Sequence, residues 1–144
     1  MTPLRLTSAQ QAELGALATA AFPREACALL VGRAEGDGLV VERIVPAANL
    51  AVSPEREFEL DPAVHVAELR RLREAGGPQT ILGHWHSHPN GRAEPSVQDA
   101  AMIYDPAMLW LISAVDAAGA APPRAFRPRA DASGFDPFPL QTDS

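Results

Sequence analysis

The stretch HSHPNGRAEPSVQD, residues 86–99, is the most informative part of this 144-residue chain. It begins with two histidines, His86 and His88, separated by one residue. Alternate side chains of a β-strand point to the same face, so a strand here would present both imidazoles to one ion. Asp99 follows at the start of a predicted helix and could supply a carboxylate oxygen. Two imidazoles and one carboxylate, with a fourth position open to water, are typical of a catalytic zinc site, and the pattern predicts a metal-dependent hydrolase.

Each part of this pattern also has a structural explanation. A single histidine in a strand is more often a hydrogen-bonded structural residue than a metal ligand. Ser96, just after Pro95, would cap the free N–H groups of a helix, and Asp99 at the third helical position would suit the positive end of the helix dipole. The complete spacing H-x-H-x7-S-x2-D, however, is expected by chance in only about one of several thousand chains of this length. The joint pattern therefore favours the metal site.

The composition excludes some partners. The chain has 12 basic and 18 acidic residues and a formal net charge of −6. Its one basic cluster, RRLR at residues 70–73, lies on a predicted helix, whereas nucleic-acid binding requires a wider basic surface. No apolar run is long enough to cross a bilayer. Neither nucleic acid nor a membrane is therefore expected as a partner.

The length is typical of one domain. The first residues lack the basic region and apolar core of a signal peptide, and the single Cys27 cannot form an internal disulfide. Both features favour a cytoplasmic protein. The sequence leaves the oligomeric state open, with a homodimer among the alternatives.

Three helices are predicted, and they start at capping residues. They cover residues 7–21, 61–76 and 96–104. The second helix is expected to turn Val66, Leu69 and Leu72 inward. Strands are predicted at residues 26–31, 39–45, 55–60, 80–85 and 108–115, with an edge strand at residues 125–129. A Gly-Asp-Gly turn joins the first two strands into a hairpin.

This order of elements predicts an α/β fold, a single domain with a central mixed β-sheet flanked by helices. Residues 1–130 would form the domain. The chain becomes rich in proline from Ala120, and residues 131–144 are expected to be an irregular tail.

A metal-dependent hydrolase also needs a base that takes a proton from water and passes it to the leaving group. Glu25 is the best placed carboxylate, since it precedes an apolar strand immediately after a helix end. A carboxylate at such a junction is often only a solvated boundary residue. The local sequence therefore leaves the role of Glu25 open.

The spacing of five residues resembles the JAMM motif of the JAB/MPN (Mov34/PAD-1) metalloprotease family, in its compact bacterial type: Glu25, His86, His88, Ser96 and Asp99. Further similarity lies in residues 23–32, 54–62, 83–85 and 109–113. The resemblance covers most of residues 5–130. Ala28 stands where many members have glycine, a difference that bears on strand packing rather than on chemistry.

The resemblance implies a cytidine-deaminase-like MPN fold and one zinc ion per chain. By matching position, the zinc ligands would be His86, His88 and Asp99. Glu25 would act as general acid and base, and Ser96 would stabilise the tetrahedral oxyanion. The implied substrate is the C-terminal tail of a ubiquitin-like protein, for the compact members a sulfur carrier, cleaved at an amide or isopeptide bond.

Other reactive side chains are expected to have structural roles. His84 shares the strand face of the two motif histidines, but the motif does not use it, so we expect it to support the site from outside. His65 is expected to be a surface or packing residue. Cys27 lies in an apolar strand without an activating partner in the sequence, which indicates a buried thiol. Trp85 and Trp110 are expected in the core.

Two alternatives belong to other functional classes. A non-catalytic scaffold or binding module would keep the metal only for stability, but such a site normally closes its fourth position with protein and has no need of Glu25 or Ser96. A zinc deaminase requires a Cys-x-x-Cys pair, which a chain with one cysteine cannot supply.

Overall fold

The computed structural model describes residues 3–143. Within these residues the helices are α1 (Ser8–Ala21), α2 (Pro62–Ala75) and α3 (Val97–Ala101). The strands are β1 (Leu4–Thr7), β2 (Cys27–Glu35), β3 (Gly38–Ala47), β4 (Thr80–His88), β5 (Leu109–Asp116), β6 (Gly119–Ala120), β7 (Arg124–Pro128), β8 (Phe135–Phe138) and β9 (Leu140–Asp143). They form one mixed sheet with flanking helices, which confirms the predicted α/β fold. In this part of the chain, no helix has the length and apolar character of a membrane span.

The first helix begins where its capping residues predict. The Thr7 hydroxyl accepts the Gln10 backbone N–H at 3.0 Å, and the Gln10 side chain accepts the Thr7 N–H at 2.9 Å. This capping box satisfies two N–H groups that the helix itself leaves free. Leu14 and Ala18 are fully buried and anchor the helix on the core.

The histidine strand β4 lies in the middle of the sheet. Its neighbours are β2, which is antiparallel to it, and β5, which is parallel. β2 and β3 form the predicted hairpin. The register places Cys27 opposite His86, so the residues that precede β2 lie beside the histidine end of β4. The sheet therefore brings Glu25 close to histidines that are distant in sequence.

The sheet curves so strongly that its two ends meet. The strand order is β8-β7-β5-β4-β2-β3-β1-β9, with β6 beside β5. The end strands β8 and β9 are separated in the chain by Pro139 alone. One apolar cluster contains Leu14 of α1 together with Leu4, Trp85 and Phe138 from strands across the sheet. One face of α1 thus packs against the curved sheet, and Trp85 is in the core as expected.

The expectation of an irregular tail from residue 131 is wrong, because β8 and β9 lie in this segment. The predicted edge strand, β7, is not at the edge, because β8 pairs with its outer side. Residue 144 lies outside the described part of the chain. β9 pairs in parallel with β1, where Leu140 lies opposite Leu4. In β8, Phe138 is buried beneath the guanidinium of Arg127 at 4.8 Å. Prolines are tolerated in strands at a sheet edge, so the high proline content did not exclude strands here.

The second helix covers the predicted residues, but its inward face differs from the prediction. Val66 and Leu69 are 55% and 51% exposed, and Leu72 is half-buried. Glu68 is buried instead, and its carboxylate accepts hydrogen bonds from the guanidinium of Arg43 on β3. The ion pair between Glu68 and Arg43, on a strand that is distant in sequence, attaches this helix to the sheet in place of an apolar stripe.

Two further local predictions are wrong. Residues 55–60 form a loop and not a strand, with a single bridge between Asn49 and Leu60. The N–H groups of residues 56 and 57 bond to the Ser53 carbonyl, which makes a turn. The third helix ends at Ala101 rather than near residue 104.

The close approach of β4 to β5 depends on a glycine. A Cβ at Gly83 would lie 2.1 Å from the backbone oxygen of Leu109 on β5. We therefore expect Gly83→Ala to lower the free energy of unfolding by roughly 1–3 kcal/mol, as overpacking does. Urea unfolding measures this. Gly77→Ala is the matched control, since a Cβ there meets nothing within 4 Å; equal stability of the two variants would contradict the packing argument.

Candidate metal centre

Three histidines lie on one face of β4, as the strand period predicts. His86 is completely buried and His88 is 3% exposed, whereas His84 is half-buried. The Nε2 atoms of His86 and His88 face each other at 2.9 Å. The strand therefore directs two ring nitrogens to one point.

Asp99 reaches the same point from the N-terminus of α3. Its Oδ1 lies 3.5 Å from Nε2 of His86, and its Oδ2 lies 3.1 Å from Nε2 of His88. The position of the carboxylate is set by a capping box. The Ser96 hydroxyl accepts the Asp99 N–H at 3.0 Å, and Oδ2 accepts the Ser96 N–H at 2.8 Å. The predicted helix cap and the predicted ligand arrangement therefore occur together.

The spacing of these atoms fits a tetrahedral ion. Four ligands at 2.0–2.1 Å from zinc are about 3.3 Å from one another. The observed separations of 2.9, 3.1 and 3.5 Å among His86, His88 and Asp99 bracket this value. The donor set of two imidazoles and a carboxylate is also one that zinc prefers.

The outer nitrogens of the two rings favour the same conclusion. Nδ1 of His88 lies 3.0 Å from the Arg92 carbonyl oxygen, which can only accept, so Nδ1 carries the proton. Nδ1 of His86 lies 3.3 Å from Nε2 of His84. With His86 as donor in that pair, both neutral rings point the lone pair of Nε2 inward. Two lone pairs and a carboxylate at this separation suit a cation.

Glu25 borders the same centre. It lies between α1 and β2, and its N–H donates to the Pro54 carbonyl at 2.7 Å. One carboxylate oxygen and the nitrogens of His86 and His88 all lie within 4.8 Å of one another. Glu25 is only 5% exposed, and its Oε1 has no hydrogen-bond partner among the described residues. The structure thus brings together all five residues of the sequence motif.

A cleft of about 210 Å³ opens onto the centre. Its lining includes Glu25, Arg56, His88, Ser96 and Gln98. The oxygen of the Ser96 hydroxyl accepts the Asp99 N–H, which leaves its own hydrogen free to donate into this cleft.

An apolar cavity of about 340 Å³ lies on the other side of His84. Its lining includes Phe58, His65, Met102, Met108 and Trp110. Phe58 stacks on the ring of His86 with centroids 4.2 Å apart. This contact was missed from the sequence, although Phe58 lies in a segment that resembles the family. Trp110 is in the core as expected, and it packs edge-on against the same ring.

Cys27 does not take part in the centre. The thiol is 2% exposed, and its sulfur lies near the carbonyl oxygens of Ala47 and Ala48. Burial raises its pKa to about 12, and the charge of Glu25 adds to this effect. The prediction of a buried structural thiol is therefore confirmed.

Comparison with known proteins agrees with this geometry. A family model described as prokaryotic homologs of the JAB domain matches residues 7–128. The chain belongs to this family. A solution structure of a protein from Desulfitobacterium hafniense superposes on this JAB domain with a TM-score of 0.83 and 34% identity, covering 98% of this chain and 93% of that chain. A JAB1/MPN domain protein from Archaeoglobus fulgidus has the same fold, with a TM-score of 0.57 and 16% identity over 100% of this chain and 98% of that chain. The predicted family is confirmed.

Two curated relatives are similar to part of the JAB domain. Desampylase of Haloferax volcanii is 33% identical over 94 residues, which are 65% of this chain and 65% of that protein. A probable TtuB-protein conjugate cleaving protease of Thermus thermophilus is 36% identical over 77 residues, which are 54% of this chain and 47% of that protein. The matched part is thus less than two thirds of either relative.

In this JAB domain, the pKa values of the ionisable groups at the centre are shifted from their ordinary values. Burial lowers the pKa of His86 although Asp99 favours its charged form. Burial also acts to lower the pKa of His88, but the hydrogen bond and charge of Asp99 outweigh it, so this pKa is raised. For Asp99 burial favours the neutral form, yet hydrogen bonds from His86 and His88 hold its pKa well below the usual range.

Glu25 has the opposite shift. Burial raises its pKa from 4.5 to about 8; the charge of His88 opposes this effect, and those of Asp99 and Glu57 add to it. In the metal-free protein, Glu25 therefore keeps its proton between pH 4.5 and about 8, whereas the unfolded chain releases it. Stability that depends on this group is present at low pH and is lost as the pH rises towards 8.

This shift predicts how Glu25→Gln changes stability. The variant has no proton to lose, so its advantage over the wild-type metal-free protein should grow by roughly 2–4 kcal/mol between pH 5 and pH 8. Urea unfolding in the presence of a chelator measures it. Glu13→Gln, at an exposed position on α1, is the control and should show no such trend. A difference that does not vary with pH for Glu25→Gln would contradict the assigned shift.

The metal ligands can be tested by zinc content. Asp99→Ala should abolish stoichiometric zinc, because two imidazoles alone leave the tetrahedral set incomplete. Elemental analysis of the folded variant measures it. Asp116→Ala removes an aspartate that bonds the backbone of its own turn, at Ala118, and should keep zinc. Undiminished zinc in Asp99→Ala would exclude Asp99 from the ligand set.

Proposed function

We propose that this chain is a zinc metallopeptidase of the JAMM type. It hydrolyses an amide or isopeptide bond at the C-terminus of a ubiquitin-like protein. Among such proteins, we propose a sulfur carrier as the substrate. The observation that carries the proposal is the convergence of His86, His88 and Asp99 within 3.5 Å of one another, with the buried carboxylate of Glu25 beside them. The metallopeptidase domain would include β8 and β9, which belong to the same sheet as the preceding strands, and it would act in the cytoplasm.

One zinc ion would be held by His86, His88 and Asp99, with a fourth position facing the cleft. Bound zinc polarises a carbonyl group and lowers the pKa of water, which makes water a nucleophile at neutral pH. The carbonyl of Arg92 and the ring of His84 hold the two imidazoles in the orientation that ligation requires.

Glu25 would move the proton. Its carboxylate takes a proton from the attacking water and then delivers it to the nitrogen of the leaving group. Burial raises the pKa of this carboxyl, and the positive charge of an adjacent cation favours the ionised form that a base needs. Ser96 would donate its free hydroxyl hydrogen to the oxyanion that develops at the scissile carbonyl.

The form of the site and the relatives support a protein tail as the substrate. One relative is named as a protease that cleaves TtuB-protein conjugates, and the other is named desampylase. The cleft of about 210 Å³ suits an extended tail that ends in Gly-Gly, because glycine needs no room for a side chain. The apolar cavity next to His84 would accept a larger side chain further along that tail.

Two observations disfavour a scaffold with a structural metal. Burial of a carboxylate with an unpartnered oxygen, as in Glu25, destabilises the fold. A scaffold would gain nothing in return, whereas an enzyme would gain a catalytic group. A structural site would also close its fourth position with protein, whereas this centre opens onto a cleft.

The proposal predicts that Glu25→Gln separates binding from catalysis. The variant should retain zinc, because its ligands are unchanged, but hydrolysis should fall by a factor of at least about 100, as loss of a general base does. The assay uses a ubiquitin-like carrier protein extended after its terminal Gly-Gly by a short peptide. Elemental analysis is done on the same samples.

The matched control for this test is Glu13→Gln, which should hydrolyse the extended carrier at the wild-type rate. A zinc-loaded Glu25→Gln variant that keeps the full rate would show that another group is the base. A zinc-loaded wild-type protein that does not cleave any ubiquitin-like carrier, while Asp99→Ala loses zinc, would favour the scaffold instead.

A further inference from the structure

One half-buried side chain near the centre makes an unusual number of hydrogen bonds. Asn49 follows β3, and both ends of its amide group bond to the backbone. Its Nδ2 donates to the carbonyls of Glu25 at 2.9 Å and Glu57 at 2.9 Å, with a longer contact of 3.5 Å to Pro54. Its Oδ1 accepts N–H groups at 3.0 and 2.9 Å, from Ala51 and Glu59.

The donor side of this amide holds the backbone of Glu25. The Glu25 carbonyl bonds to Asn49, and the Glu25 N–H bonds to the carbonyl of Pro54. Both polar backbone groups of this residue are therefore attached to residues 49–54. The next residue is held from the other side, because the Ala26 N–H donates to the Ser87 hydroxyl on β4 at 2.8 Å.

The acceptor side closes residues 50–59, which we name the Asn49 loop. The bonds to Ala51 and Glu59 draw the two ends of this loop together around one amide group. The loop carries Phe58, whose ring stacks on the imidazole of His86. One side chain thus links the backbone of Glu25 to the packing of a ring in the metal centre.

We propose that Asn49 is a positioning residue that holds the carboxylate of Glu25 at its working distance from the metal centre. The role rests on the proposed function, in which Glu25 is the base. No other residue type of this size offers two N–H donors and a carbonyl acceptor in one plane. Aspartate keeps the acceptors but has no donor for the Glu25 carbonyl, and alanine has neither.

The test compares Asn49→Ala and Asn49→Asp with the wild-type full chain loaded with zinc. Both variants should keep zinc and KM, while kcat falls roughly 100-fold, because small displacements of a catalytic group have effects of this size. Gln79→Glu is the control; its amide bonds to Glu42 at the opposite end of β4, and the same amide-to-acid change there should leave kcat unaltered.

A structural role alone would move stability and leave kcat per folded, zinc-loaded molecule unchanged, and that result would overturn the proposal. A wild-type kcat in Asn49→Asp would overturn it as well, since this variant has no N–H donor for the Glu25 carbonyl. Amide hydrogen exchange provides a readout without substrate. In Asn49→Ala the Glu25 N–H should lose protection, while the Ala26 N–H, bonded to Ser87, keeps it.

The hydrogen-exchange measurement distinguishes a failure of the proposed function from a failure of the positioning role of Asn49. If the wild-type protein does not cleave the extended carrier, the proposed function fails, and exchange at Glu25 still supports or overturns the contact on which the positioning role depends. If the variants do not fold, NMR of the wild-type protein decides instead. A scalar coupling across the hydrogen bond from the Asn49 amide to the Glu25 carbonyl supports the role, and its absence overturns it.

Discussion

Two histidine nitrogens and a carboxylate lie within 3.5 Å of one another inside this protein, and their electron pairs repel unless positive charge separates them. Much of the surrounding structure maintains this arrangement. The central position of β4 keeps His86 and His88 buried on one face, the carbonyl of Arg92 holds one ring, and the first turn of α3 holds Asp99. Without a cation, the hydrogen bond and charge of Asp99 raise the pKa of His88, so a metal ion and a proton compete for the same nitrogen.

The same residues stabilise the fold and form the site. Ser96 and Asp99 make a complete capping box, and that box aims one carboxylate oxygen at each imidazole. Glu25 is different, since its burial favours the neutral acid and weakens the metal-free protein as the pH rises. A destabilising group that is kept in the interior next to a polar cleft is typical of a catalytic site. This contrast between the stabilising Asp99 and the destabilising Glu25 favours a catalytic centre over a purely structural metal site.

Features that depend on residues close in sequence, such as the strand face of the histidines and the starts of the helices, could be predicted. Alternation along a strand placed His86 and His88 on one face, and cap residues defined the starts of the helices. Contacts between distant segments could not be predicted in this way. The inward face of α2 follows from Glu68 meeting Arg43, and the strands after residue 131 follow from pairing with β1 and β7. The proposed role of Asn49 depends in the same way on five backbone groups that only the folded chain brings together.

The central claim is that zinc is bound by two imidazoles and a carboxylate, without sulfur. X-ray absorption at the zinc edge, on protein purified without added metal or chelator, tests it most directly. The account predicts about one zinc per chain with nitrogen and oxygen neighbours at about 2.0–2.1 Å, and multiple scattering from two imidazole rings. A sulfur neighbour at about 2.3 Å, which would have to be Cys27, or a protein that takes up no zinc at neutral pH, would contradict it.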